Sequence, residues 1–338
     1  NVPEGSYSTD PEHGEVRIRE MKEMIQTLHL QGFRVIMDVV YNHTYSLDSW
    51  FQRTAPWYFY RVFEDGRISN GSACGNDVAS EREMCAKYIL ESVLYWTEEY
   101  HIDGFRFDLM GLLDVNLMNR IRRELDARYG KGEKILFGEP WAAAETAMEG
   151  NAVPALKKNI MLLDENIGMF CDDTRDAVKG SALKIKRPGF INGASGKEND
   201  IVQSARAWCA TSCGSTDEDS DSVTTVKAPS QVITYVSAHD NQTLWDKLAE
   251  TLPEADEAER MRLNRMAAAI YMTCQGSLFF LSGEEFARTK NGLEDSFNAP
   301  IALNRLDWKQ AWENQSLVEY YKGLIALRTR LPGLCDKS

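Results

Sequence analysis

Short apolar runs recur along the chain, and before several of them apolar residues return every three or four positions instead. Stretches around Arg34–Val40, Gly104–Leu109, Ile135–Phe137, Gln231–Val236 and Ser277–Leu281 have the length and the β-branched or aromatic content of buried strands. Glu15 to Leu30 places Met21, Ile25 and Leu28 on one face, with Gly32 just beyond its end, as an amphipathic helix does. Glu81 to Tyr100 carries a stripe of Cys85, Ile89, Val93, Trp96 and Tyr100, and Asn116 to Tyr129 aligns Leu117, Ile121 and Leu125 before Gly130. Glu254 to Gln275 and Leu317 to Leu331 complete the set of expected helices. Helix followed by strand, repeated, is the rhythm of an α/β fold with a parallel sheet, and in a parallel barrel the strand carboxyl ends meet on one face.

Chemistry-bearing residues fall at those ends. Side chains alternate along a strand, so Arg106 and Asp108 share one face of the Gly104–Leu109 run while Phe105 and Phe107 take the other. A charged pair beside buried aromatics is either a structural ion pair or an active site. Three more runs end in the same manner, in Asp38 with His43 just beyond, in Glu139 with Trp141, and in His239 with Asp240.

The four segments DVVYNH (38–43), GFRFDLMG (104–111), GEPW (138–141) and SAHDN (237–241), in that order, resemble the four signature regions of the α-amylase superfamily of glycoside hydrolases. The segment Asn70–Arg82 and the tail Thr243–Lys247 are similar to the type I pullulanase and limit dextrinase branch. The resemblance implies a (β/α)8 TIM-type barrel, a further strand near Asn166–Asp173, and a retaining hydrolase cleaving α-1,6-glucosidic branches of pullulan, limit dextrins, amylopectin or glycogen. By the same resemblance Asp108 is the nucleophile, Glu139 the general acid/base and Asp240 a third carboxylate that grips sugar hydroxyls. Arg106 holds Asp108 ionised, His43 and His239 bond the sugar, Asp38 is a buried support, Trp141 stacks on the leaving glucose and Asn298 is a loop contact. Glu139 is expected to start the cycle protonated, its pKa raised by Trp141 and by negative neighbours. Isoamylase-like or α-1,4 cleavage, or glucosyl transfer, share the fold and the carboxylates. A non-catalytic amylase-like sugar-binding protein is the reading from another class, and retention of Asp108, Glu139 and Asp240 weighs against it.

Composition narrows the partners. With 38 basic and 51 acidic residues the net charge is −13, which speaks against nucleic acid, and no apolar run is long enough to span a membrane. A neutral α-glucan and a monomer are expected. Seven scattered cysteines, without a second pair or a histidine at zinc spacing, are expected to be reduced buried thiols, favouring the cytoplasm over secretion. No cofactor is expected. Asp217, Asp219 and Asp221 alternate like the start of a calcium loop, but Ser222 and Ala228 stand where such a loop needs glycine and glutamate, so calcium is not assigned. The carboxylates Asp172 and Asp173 are expected to cap a loop.

One catalytic domain is expected over 1–338, with a loop insertion at about 44–80 and a polar insertion at about 212–222. The aromatic residues of the first insertion serve either its own small core or sugar stacking, the core having the stronger claim. The first residue is Asn, and the opening segment resembles the stretch beyond the second barrel strand in the family. The expectation is therefore an incomplete barrel, lacking its first two strands and the C-terminal β-sandwich, with the Asp38 and Phe279 strands as its edges.

Overall fold

In the computed structural model, residues 1–209 and 225–335 are described; the polar insertion at about 212–222 and Cys213 lie outside them. The chain divides into two compact units, Asn1–Met169 and Phe170–Ser338.

The first unit is built on four-residue strands: β1 (Ile36–Val39), β2 (Gly104–Phe107), β3 (Ile135–Gly138) and β4 (Ile167–Phe170), whose last residue opens the second unit. All run parallel, in chain order. The register pairs Asp38 with Arg106 and Arg106 with Phe137, which brings the polar ends of β1, β2 and β3 level. Gly104 permits the pairing of β2 with β3, because a Cβ there would stand 2.5 Å from the Ile135 carbonyl oxygen. Phe105 and Phe107 are fully buried, as is Ile89 of the Glu83–Tyr100 helix, which precedes β2. That helix ends at His101, in the left-handed conformation with φ 57°. Asp103 then fixes the starts of two strands by accepting from the Val35 amide at 2.8 Å and from His29 Nε2 at 2.8 Å.

β1 is an edge strand, as expected, but its aspartate is not buried. Phe33, Ile36 and Val40 are exposed, and the Asp38 side chain is 56% exposed where a buried aspartate was expected. The physical reason is that, among the described residues, β1 has a hydrogen-bonded neighbour on one side only.

The insertion at 44–80 folds around polar groups as much as aromatic ones. Phe51 stacks on Phe59 with centroids 4.5 Å apart and Tyr60 is fully buried, whereas Trp50 and Tyr45 stay exposed. Asp77, with no exposed surface, accepts from Ser69 Oγ (2.6 Å), Gly71 N (2.7 Å), Ser72 N (2.9 Å) and Thr146 Oγ1 (2.8 Å). Arg61, equally buried, is paired with Glu81 at 2.7 Å and donates to the Leu112 carbonyl at 2.9 Å. Several satisfied bonds per buried charge are what make such a core tolerable.

In the second unit β5 (Val232–Thr234) and β6 (Ser277–Leu278) pair in parallel. Phe170 meets Tyr235 and Phe279 edge-on at 5.0 and 5.2 Å. The main core joins Val178, Val236, Leu244, Leu248, Leu263 and Tyr271. Three eight-residue helices, Asp172–Lys179, Glu198–Ala205 and Leu244–Thr251, were not expected from the sequence pattern. Asp172 and Asp173 fall in the first turn of one of them, where carboxylates complement the helix dipole. No described helix is long and apolar enough to cross a membrane.

Candidate active site

Strand alternation does what the sequence pattern implies: Arg106 projects from β2 with Asp108 just beyond its end on the same face. The guanidinium is 8% exposed and bonds three carboxylates from three strands. Its Nη1 donates to Asp38 Oδ1 at 2.8 Å and to Asp108 Oδ1 at 3.0 Å, while Nη2 pairs with Glu139 Oε1. Burial works against the charge on Arg106, but Glu139, Asp38 and Asp108 outweigh it and hold its pKa above the ordinary arginine value.

Glu139, 7% exposed at the end of β3, is fixed through its second oxygen as well, Oε2 accepting from the Leu109 amide at 2.9 Å. Both of these partners donate to the carboxylate form. Leu109 follows Asp108 at φ 37°, a left-handed backbone that a leucine adopts only under constraint. Two close approaches hold the turn. Gly111 N donates to the Glu139 carbonyl at 2.8 Å, and a Cβ on Gly111 would lie 2.5 Å from the Trp141 carbonyl oxygen. Trp141 itself is half-buried.

Asn42 was not singled out in the sequence, although it stands inside DVVYNH. It is fully buried, and its Nδ2 donates to the Asp108 carbonyl at 2.8 Å and to Asp108 Oδ2 at 3.0 Å. Asn42 Oδ1 lies 2.5 Å from His43 Nδ1. With the amide donating to Asp108, Oδ1 must accept, which puts the His43 proton on Nδ1 and leaves Nε2 as the acceptor in the neutral ring. Burial pushes the His43 pKa down against the pull of Asp108 and Asp77, keeping the ring neutral near pH 7.

In the second unit His239 and Asp240 follow β5 and are 57% and 64% exposed, with Nε2 and Oδ1 3.5 Å apart. They line a cavity of about 140 Å³ with Lys290, Ser296 and Phe297. Asn298 is exposed, next to Phe297. Within the first unit the structure joins Asp38, Asn42, His43, Arg106, Asp108 and Glu139 through hydrogen bonds and ion pairs, and within the second His239 and Asp240 stand side by side.

A parallel sheet with carboxylates and an arginine at its strand ends is the plan of a glycoside hydrolase catalytic domain. Residues 57–322, more than half of the chain, match the family described as "Alpha amylase, catalytic domain", and the chain belongs to that family. It is 41% identical to the pullulanase of Bacillus subtilis (strain 168) over 98% of its own length and 44% of that protein's. It is 32% identical to "Pullulanase 1, chloroplastic" of Arabidopsis thaliana, covering 93% of this chain and 37% of the relative. The crystal structure of a Paenibacillus barengoltzii pullulanase in complex with maltohexaose and alpha-cyclodextrin superposes with a TM-score of 0.92 at 44% identity, over 100% of this chain and 51% of that one. The chain spans between 37% and 51% of the length of these relatives.

Proposed function

We propose that the chain carries the catalytic machinery of a retaining α-1,6-glucan debranching hydrolase, its parallel strands forming part of a (β/α)8 barrel. The observation that carries the reading is the Arg106 guanidinium bonded at once to Asp108 and Glu139. Glycoside hydrolysis needs a proton for the departing oxygen and a carboxylate for the developing oxocarbenium ion, and the pair supplies both. Asp108 attacks the anomeric carbon as the bond to the glycosidic oxygen breaks, and Glu139 gives that oxygen its proton. Water then enters, gives a proton to Glu139 and displaces Asp108, so the anomeric configuration is retained.

Arg106 and Asn42 hold the Asp108 carboxylate in place through hydrogen bonds to its two oxygens. Glu139 has to part from Arg106 or from the Leu109 amide to take up its proton, a step that accompanies substrate entry. Neutral His43, with Nε2 as acceptor, suits a sugar hydroxyl. Asp240 and His239, in their cavity, suit further hydroxyls, with Trp141 stacking on the leaving glucose and Asn298 as a loop contact. Similarity to proteins named pullulanase supports α-1,6 linkages and a glucan substrate. The test is to incubate the full-length protein with pullulan and with unbranched amylose while following the released anomer by proton NMR. Maltotriose released from pullulan with the α-anomer first supports the reading; β-anomer first, or cleavage of amylose alone, refutes it.

A further inference from the structure

The carboxylate Asp240 stands on a loop with little side-chain support of its own. Its side chain and that of His239 are more than half exposed, and the next residue, Asn241, is left-handed at φ 59°. What anchors the loop is its backbone. At one end Lys290 Nζ donates to the His239 carbonyl at 3.0 Å, and at the other Lys179 Nζ donates to the Gln242 carbonyl at 2.9 Å. Both lysines are almost wholly buried, at 1% and 2% exposure.

Burying an ammonium is costly unless it is bonded, and a cation donating to a neutral carbonyl makes a strong, short-range bond. Lys290 spends its second bond on the Glu294 carbonyl, at 3.0 Å. One ammonium therefore ties the Asp240 loop to the segment that carries Ser296, Phe297 and Asn298, two walls of the same cavity. The backbone of Lys290 is locked in turn, its amide donating at 2.7 Å to Asp246, a buried residue of the Leu244–Thr251 helix that starts directly after the loop.

We infer that Lys290 is a positioning residue for Asp240: its ammonium sets where that carboxylate meets the sugar, with Lys179 holding the far end of the loop. The inference rests on the role given to Asp240 above. If Asp240 acts on the strained sugar, a misplaced loop lowers kcat and leaves KM nearly unchanged, by on the order of 10- to 100-fold for a displacement near 1 Å.

The test is a double-mutant cycle in the full-length protein with pullulan, using Lys290→Met, Asp240→Asn and the pair. Lys290→Met is expected to cost about 10- to 100-fold in kcat on its own and no more than about threefold once Asp240→Asn is present, because the lysine acts through that carboxylate. Lys290→Arg, which keeps charged donors, recovers part of the loss. Equal losses in both backgrounds overturn the inference. Should Lys290→Met fail to fold, Lys290→Gln keeps a donor and carries the same cycle. Hydrogen exchange gives a readout independent of turnover: Lys290→Met should speed exchange at 239–243 and 290–298 while 36–43 and 104–110 stay protected. Unchanged exchange in the first two segments refutes the brace whatever the substrate proves to be, whereas a failure of the glucosidase reading shows instead as full pullulan turnover by Asp108→Asn.

Discussion

The two carboxylate clusters are held by opposite means. At Arg106 the charges hold one another: three acidic side chains from three parallel strands converge on one guanidinium, with the Leu109 amide and Asn42 adding bonds to the carboxylates. At Asp240 the acidic group is left to solvent while two buried lysine amino groups hold the backbone around it. The first arrangement suits groups whose ionisation must be controlled, the second a group whose place matters more than its proton. The contrast predicts that side-chain chemistry is what mutations break in the first cluster and loop geometry in the second.

The sharpest way to break it is Asp108→Asn. The volume is kept and Asn42 still donates to the backbone carbonyl at 108, so turnover should fall by roughly 10⁴-fold or more while the melting temperature changes far less. Comparable loss from a loop variant of the second cluster with Asp240 intact would erase the distinction. Arg106→Met comes next. It leaves Glu139 buried and short of its cation, for an expected loss of about 3 kcal/mol in urea unfolding and on the order of 10²-fold in kcat.

Gly111→Ala tests whether the first cluster depends on backbone contact as well. Its new Cβ, 2.5 Å from the Trp141 carbonyl oxygen and 2.7 Å from the carbonyl carbon, must push the Glu139–Trp141 segment away. A cost of about 2 kcal/mol and a roughly tenfold fall in kcat are expected, read by melting and by pullulan assay.

The smallest effect concerns Glu284, a buried carboxylate in the second unit met by two hydroxyls, Tyr271 at 2.7 Å and Tyr321 at 2.9 Å. Burial pushes its pKa up to about 6 against the pull of those hydroxyls. The folded protein then binds the proton more tightly than the unfolded chain, so its contribution is full below about pH 4.5 and is lost as pH rises to about 6. Glu284→Gln should flatten the stability profile in that window, where the group accounts for about 2 kcal/mol. An unchanged slope would mean that Glu284 is already ionised throughout it.

Much of the first cluster is legible in the sequence because a strand's two-residue period dictates which side chains share a face. Arg106 and Asp108 could be paired on that ground alone, and the helices over 14–30, 83–100 and 115–129 follow from long apolar stripes. The second cluster is poorly legible for the converse reason. Lys179 and Lys247 look like surface residues of short polar segments, yet both are buried, Lys247 donating to the Ser181, Lys184 and Ile185 carbonyls. Burial pushes their pKa values down to about 7 and about 8. Eight residues are too few for an apolar period to declare itself, so the helices at 172–179 and 244–251 stayed hidden. The left-handed turn at Leu109 has no composition signal at all. Asn42 did have one, its place between Tyr41 and His43 in a motif shared with the family.

The carboxylate of Asp77 has a practical consequence. By gathering Ser69, Gly71, Ser72 and Thr146 it pins the base of the 44–80 insertion, while beyond that base Val62 and Ile68 form a small hairpin whose tip, Asp65–Gly66, is exposed. Gly66 has φ 86° and nothing within 4 Å of where a Cβ would stand. The tip is therefore an attachment point, best used by inserting residues beside Gly66 rather than by replacing it, since its left-handed backbone strains any side chain: an added peptide there extends into open water, away from the base that Asp77 pins.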